Sequence, residues 1–325
     1  MKSRIFLISF IASFIFFCGV NVFSSGLENF LFTQEIIKNP QILNAQIAEQ
    51  LFPEKKKREN VSLNSQIGEL EIGAKAAISV WTGKGFPSPK VLFQKNVSEP
   101  LPVASLTKLM TAFVAIENYR PDQVIVFSDQ AVAQKEDIGS FKTGDKFAVQ
   151  DLLYSVLMES SNDAAYALSE VVGLESFADL MNLEAKHILG QNSKTFFANP
   201  TGLDSKENGN SNYSTAKDLA DLGAYFLRKT PLIWDISSNS EFDLYSPEGI
   251  LHHKILNTNE LLGKIPGIVG GKTGETKNAG GCLIMVSESP NKEGFIVNVV
   301  LGSEDRFSDM EKLTRWIESA YLWPR

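Results

Sequence analysis

Strand-like segments near both ends of the chain, with helical periodicity between them, predict an α+β protein in which an antiparallel sheet is flanked by helices, with a helical segment inserted between its strands. Two further observations support that class. Apolar runs rich in Val and Ile are joined in pairs by Gly-containing turns, which read as hairpins. The middle third instead places apolar residues three and four apart, as helices do.

The first element stands apart from the rest. Lys2 and Arg4 precede an uncharged apolar run from Ile5 to Val20, which reads as a signal peptide or membrane anchor over residues 1–24. Counted through Phe23, the run approaches the ~20 residues that span a bilayer as a helix. Its preceding positive charges should stay cytoplasmic and send the remainder across, so the expected location is extracytoplasmic, anchored to the membrane or released to the cell envelope. Residues 25–60 read as a stalk, because Pro40, Pro53 and the solvated cluster Lys55-Lys56-Lys57-Arg58 interrupt a weakly amphipathic stretch.

Residues 61–325 form the expected folded domain. Lys75–Trp81 and Val91–Gln94 read as paired strands around the turn Thr82–Gly85. Pro100 and Pro102 punctuate the chain, and Ser105 opens a helical run through Glu117. Helical spacing then covers Asp151–Met158, Ala164–Val172, Phe177–Ile188 and Ala216–Leu227, predicting a helical subdomain over about 128–230. Gly281–Val286 and Phe295–Leu301 read as a hairpin, and Ser308–Leu322 as a closing helix.

Composition removes several function classes. A net charge of -7 and a pI near 5.2 argue against a nucleic-acid partner, which would call for a basic face. Cys18 lies in the apolar run and Cys282 in a strand, so no disulfide framework is expected. Bulky Phe16 and Phe17 before Cys18 argue against lipid attachment there. His187, His252 and His253 show no metal-ligand spacing, and the reading calls for no cofactor.

Three short patterns carry chemistry: Ser105-Leu-Thr-Lys108, Ser160-Ser-Asn162 and Lys272-Thr-Gly274. A serine hydroxyl needs a base before it becomes a nucleophile. Three residues along a helix, Lys108 faces the same side as Ser105. Ser105 is also expected at a helix N-terminus, where free amides favour developing negative charge, although a serine there can equally serve as a cap. A lysine base must be partly neutral, which burial or a nearby cation such as Lys272 favours. Ser160 could pass a proton to a leaving amine while the Asn162 amide holds a substrate carbonyl. Lys272 and Thr273 suit a substrate carboxylate, and Gly274 lets backbone approach ligand closely. Each pattern recurs: at Ser214–Lys217, at Ser62–Asn64 and Ser237–Asn239, and at Lys142–Gly144. The first of these is expected to cap a helix, with Thr215 facing Asp218, and the last to form a polar turn.

The ordered trio is similar to that of serine–lysine acyl enzymes, the penicillin-binding proteins and class A β-lactamases. Longer blocks narrow the resemblance. Pro102–Ala112, Ser160–Ala165, Phe197–Asp204, Tyr213–Ala216, Asn257–Leu262 and Gly271–Gly280 resemble the low-molecular-mass D-alanyl-D-alanine carboxypeptidases, peptidase family S11, from about residue 74 onward. The resemblance implies a β-lactamase/transpeptidase-like fold and removal of the terminal D-alanine from peptidoglycan stem peptides, with β-lactams as inhibitors. It implies Ser105 as acyl-forming nucleophile and Lys108 as its base. Ser160 and Asn162 would assist proton transfer and placement, Lys272 and Thr273 would bind the terminal carboxylate, and the amides of Ser105 and Glu275 would hold the oxyanion.

There are departures from the family pattern. Ser161 stands where glycine is usual, and Glu275 replaces a commoner aromatic residue or histidine. No counterpart of the β-rich C-terminal domain of many relatives is expected after the closing helix. Two other readings remain open, a β-lactamase and an inert anchored binding module. Against the first, the E-x-x-L-N block of class A enzymes is missing, and Met181–Ala185 follows the carboxypeptidase pattern.

Overall fold

The computed structural model describes residues 61–323, apart from 65, 84–88, 137–139 and 205–210. The expected leader and stalk, 1–24 and 25–60, lie outside the described residues. Among the described residues no helix is long and apolar enough to cross a membrane.

The chain begins with β1 (Ser62–Leu63), β2 (Ala76–Gly83), β3 (Lys90–Lys95) and β4 (Leu101–Pro102). A 3₁₀ turn, Ala104–Thr107, leads into α1 (Lys108–Asn118). A small ladder follows, β5 (Val124–Val126) with β6 (Lys146–Ala148). Next come α2 (Val149–Tyr154), a π-turn (Ser155–Glu159), α3 (Asn162–Glu170) and α4 (Leu174–Leu189). After β7 (Tyr213–Ser214) come α5 (Ala216–Lys229), α6 (Leu232–Ser237) and the hairpin β8 (Glu241–Tyr245) with β9 (Leu251–Leu256). The chain closes with β10 (Ile268–Thr276), β11 (Gly280–Glu288), β12 (Gly294–Ser303), α7 (Arg306–Ala320) and β13 (Tyr321–Leu322).

Five strands form one antiparallel sheet in the order β10-β11-β12-β2-β3, so early and late segments meet at the β12–β2 pair. The central strands β11, β12 and β2 are covered on both faces, which is why they are almost continuously apolar. On β11, Ile284 and Val286 enter the larger core with the helical segment, while Leu283 and Met285 turn to the core that also holds Met310, Leu313 and Ile317 of α7. The two-residue side-chain period divides one sequence run between two cores. Truncating Leu283 to Ala would leave a cavity costing about 2–5 kcal/mol.

The sheet, the hairpins and the helical middle follow the sequence expectation, with local differences. The closing helix ends at Ala320, because Tyr321 and Leu322 become extended and pair with Leu63 and Ser62. The run Asp151–Met158 changes at Ser155 from α to π geometry, a widening that apolar spacing does not reveal. Ser105 lies one turn ahead of the α-helix proper, and Lys108 is that helix's first residue.

Candidate active site

Ser105 is held in the 3₁₀ turn, where residues i and i+3 eclipse one another, so Lys108 projects directly at it. The Lys108 Nζ lies 2.9 Å from Ser105 Oγ, 2.6 Å from Asn162 Oδ1 and 2.6 Å from the Thr201 carbonyl oxygen. Lys108 is wholly buried, while Ser105 is partly exposed to the cleft. Asn162 Nδ2 donates to the carbonyls of Lys135 and Glu136, which fixes its oxygen toward the lysine. Of these groups, the Asn162 and Thr201 oxygens are therefore permanent acceptors. A neutral amine bonded to both keeps only its lone pair for the serine hydroxyl.

The backbone before the nucleophile is strained. Ala104 sits at φ 48°, a left-handed conformation that a non-glycine residue adopts at a cost of about 1 kcal/mol or more. Two glycines enclose it. A Cβ on Gly202 (φ 86°) would come within 2.1 Å of the Ala104 carbonyl oxygen, and one on Gly274 within 2.9 Å of the Ser105 amide nitrogen. The Gly274–Glu275 peptide of edge strand β10 therefore runs against the Ser105 amide, which sets these backbone groups side by side at the cleft.

The second wall is the corner between the π-turn and α3. Ser160 takes the left-handed conformation (φ 67°, ψ 31°) and is partly exposed. Ser161, the departure from glycine, is buried and has structural work: its Oγ accepts from the Ala164 amide at 3.0 Å and its own amide donates to Ser155 O at 2.9 Å. It is the N-cap of α3.

On β10, Lys272 is wholly buried and its Nζ donates to the Thr273 carbonyl at 2.9 Å. Burial holds its pKa well below the ordinary lysine value, with the positive charges of Lys108 and Arg306 adding to the effect. The Thr273 hydroxyl shares a 2.6 Å hydrogen bond with that of Thr258, which also donates to Met158 O at 3.1 Å. Glu275 does not leave an isolated acid beside this wall, because its carboxylate is ion-paired with Arg306.

Hydrogen bonds thus join Ser105, Lys108 and Asn162, Ser160 adjoins that corner, Gly274 packs on the Ser105 amide, and Lys272, Thr273 and Glu275 flank Gly274 on β10. The rival copies serve elsewhere. Thr215 Oγ1 accepts from the Asp218 amide at 3.0 Å and caps α5, and Lys142–Gly144 is a turn closed by the Asp145 amide on Lys142 O. Three participants were not singled out. The Thr201 carbonyl carries no side-chain signal at all. Thr258 lies in the block Asn257–Leu262, whose residue types alone give it no role. Arg306 opens a helix, and only the register Glu275–Gly281–Ser303 across three strands brings it beside Glu275.

A nucleophile–amine pair, a Ser/Asn corner and a lysine-bearing edge strand brought together define a serine–lysine acyl enzyme. Comparison with known proteins agrees with that class. The profile of the D-alanyl-D-alanine carboxypeptidase family, peptidase S11, matches residues 63–305, and the chain belongs to that family. It is 33% identical to a D-alanyl-D-alanine endopeptidase of Pseudomonas aeruginosa over 72% of this chain and 74% of that one. It is 32% identical to the D-alanyl-D-alanine carboxypeptidase DacC of Escherichia coli over 73% of this chain, spanning only 60% of the relative. Among solved structures, penicillin-binding protein D2 of Listeria monocytogenes in its cefotaxime-bound form has a TM-score of 0.66 at 30% identity, covering 77% of this chain and 99% of that one. A D-alanyl-D-alanine carboxypeptidase of Mycobacterium tuberculosis has a TM-score of 0.69 at 25% identity, covering 82% and 98%.

Proposed function

We propose that this chain is a serine-type D-Ala-D-Ala carboxypeptidase that removes the terminal D-alanine from peptidoglycan stem peptides through an acyl-enzyme on Ser105. The observation that carries this reading is the placement of the Lys108 amine between two fixed acceptors and the Ser105 hydroxyl.

In the forward step Ser105 Oγ attacks the carbonyl of the penultimate D-alanine and its proton passes to Lys108 Nζ. Burial and a neighbouring cation are the conditions under which a lysine accepts a proton near neutrality. Charge developing on the carbonyl oxygen is met by the amides of Ser105 and Glu275, each such donor being worth roughly 3 kcal/mol. Ser160 carries a proton to the departing amine, so the C–N bond breaks as free D-alanine leaves. An ester on Ser105 remains, and water hydrolyses it with Lys108 again as base. Lys272 is enclosed, so its pull on the substrate carboxylate acts as a field behind the Thr273 hydroxyl.

The same acyl chemistry accounts for β-lactams as inhibitors, since their strained amide acylates the serine and leaves slowly. The N-terminal run supports a membrane-tethered, extracytoplasmic setting in which cell-wall peptides are within reach. The deciding experiment follows D-alanine release from a stem pentapeptide alongside turnover of a penicillin. D-alanine release with slow penicillin release supports the carboxypeptidase reading. Rapid penicillin hydrolysis favours a β-lactamase, and no labelling at all favours an inert binding module. Cleavage of cross-linked dimers without D-alanine release favours an endopeptidase.

A further inference from the structure

We propose that Glu159 and His253 form a positioning pair that fixes the Ser160 corner beside the nucleophile, with His252 and Asp145 completing a four-residue relay behind it. The inference rests on the peptidase reading above. Glu159 ends the π-turn and immediately precedes Ser160. Its side chain is only 5% exposed, and both carboxylate oxygens lie against His253 Nε2, at 3.0 and 3.2 Å. A carboxylate taken out of water is costly unless its partner is well placed, and the acyl-transfer steps make no use of this one.

The corner it precedes requires support. Ser160 keeps a left-handed backbone without being glycine, a conformation that persists only when its surroundings impose it. On the far side, the Ser161 cap and the Asn162–Lys108 bond provide that support. On the near side, two successive residues are stapled to one stretch of chain. The Met158 carbonyl accepts from the Thr258 amide at 3.0 Å and its hydroxyl at 3.1 Å, and Glu159 is held by His253. Freeing Glu159 would remove a side-chain tether from the residue before Ser160, leaving the Met158 staple and the hydrogen bond from the Ser160 amide to Ser155 O.

The relay orients the histidine. His253 Nδ1 faces His252 Nδ1 at 2.7 Å, and His252 Nε2 lies 3.4 Å from Asp145 Oδ2. Phe141 stacks on the His252 ring at 5.2 Å and meets His253 edge-on at 5.8 Å. A carboxylate can only accept, so His253 donates from Nε2, and across the Nδ1–Nδ1 contact one ring donates while the other accepts. That contact holds a single proton, so both rings cannot be cations while it lasts. The Lys142–Gly144 turn has its part here, since the Lys142 amide donates to Asp145 Oδ2 at 2.7 Å.

The test uses the full chain with a fluorescent penicillin in rapid-mixing experiments that separate the limiting acylation rate from the half-saturating concentration. Glu159→Ala and His253→Ala should each lower the limiting rate about tenfold and move half-saturation less than about twofold. Glu159→Gln, which keeps an acceptor for His253, should stay within about threefold of wild type. The double variant Glu159→Leu/His253→Leu replaces the buried pair with apolar volume and should fold, as such exchanges often do, yet remain about tenfold slow. A wild-type limiting rate in the folded double-leucine variant overturns the proposal, as does a Gln variant as slow as the Ala one. Wild-type labelling lost in Ser105→Ala is recorded in the same series; its absence would sink the peptidase reading itself.

Discussion

Lys108 Nζ and Ser105 Oγ lie 2.9 Å apart across a single 3₁₀ turn, with the amine enclosed and the hydroxyl open to the cleft. If the amine serves as a base, a residue that cannot release a proton should fail even when it fills the space. Lys108→Arg and Lys108→Ala are both expected to slow penicillin acylation by about 10²–10⁴-fold, the usual worth of a placed general base. Near-normal acylation by the arginine variant would reduce the lysine to a positioning charge.

Gly274 is required by approach, not by torsion. Its added Cβ would meet Ser105 N at 2.9 Å, Val103 O at 3.1 Å and Ala104 Cβ at 3.2 Å, all close to the main chain, so no flexible side chain can yield. Gly274→Ala should displace the nucleophile turn, costing about 1–3 kcal/mol in stability and at least about tenfold in acylation rate. Melting temperature and acylation measured on the same preparation check both.

The Glu275–Arg306 pair is exposed on the glutamate side, where the side chain is 65% accessible, so it should contribute less than about 1 kcal/mol to stability. Its effect is expected on substrate binding. Glu275→Gln removes a negative charge beside the carboxylate wall and leaves the backbone amide in place. KM for a peptide with a free terminal carboxylate should fall up to about fivefold, the equivalent of about 1 kcal/mol, with kcat little changed. A rise in KM would show that the acid assists binding.

His252 links stability to pH. Burial holds its pKa below the usual 6.5, and the neighbouring His253 pushes the same way against the opposing pull of Asp145 and Glu159. The unfolded chain therefore binds this proton more readily than the folded one. The stability contribution is complete above pH 6.5 and is lost as pH falls through the depressed folded value. Between about pH 7.5 and about pH 5, wild type should lose more melting temperature than His252→Gln. Equal losses would show that the ring titrates alike in both states.

Much of this is legible in the sequence. The strand pairs around Trp81 and Val297, the helical middle and the three motifs follow from side-chain periods and residue chemistry, which are local properties. Ser161 and Glu275 could be recognised as departures, but not what they do. That one caps a helix and the other pairs with Arg306 depends on contacts between segments far apart in the chain. The π-turn at Ser155–Glu159 escaped because its extra residue changes a hydrogen-bond register without changing which side chains are apolar. The histidine pair, set aside for want of metal-ligand spacing, is given a role by Glu159 and Asp145, from two other segments.

The most direct test is peptide mapping by mass spectrometry after brief exposure to a penicillin. One adduct per chain is expected, on the peptide containing Ser105, and absent from Ser105→Ala. An adduct elsewhere, or undiminished labelling of the alanine variant, would contradict the assignment of this serine as the nucleophile.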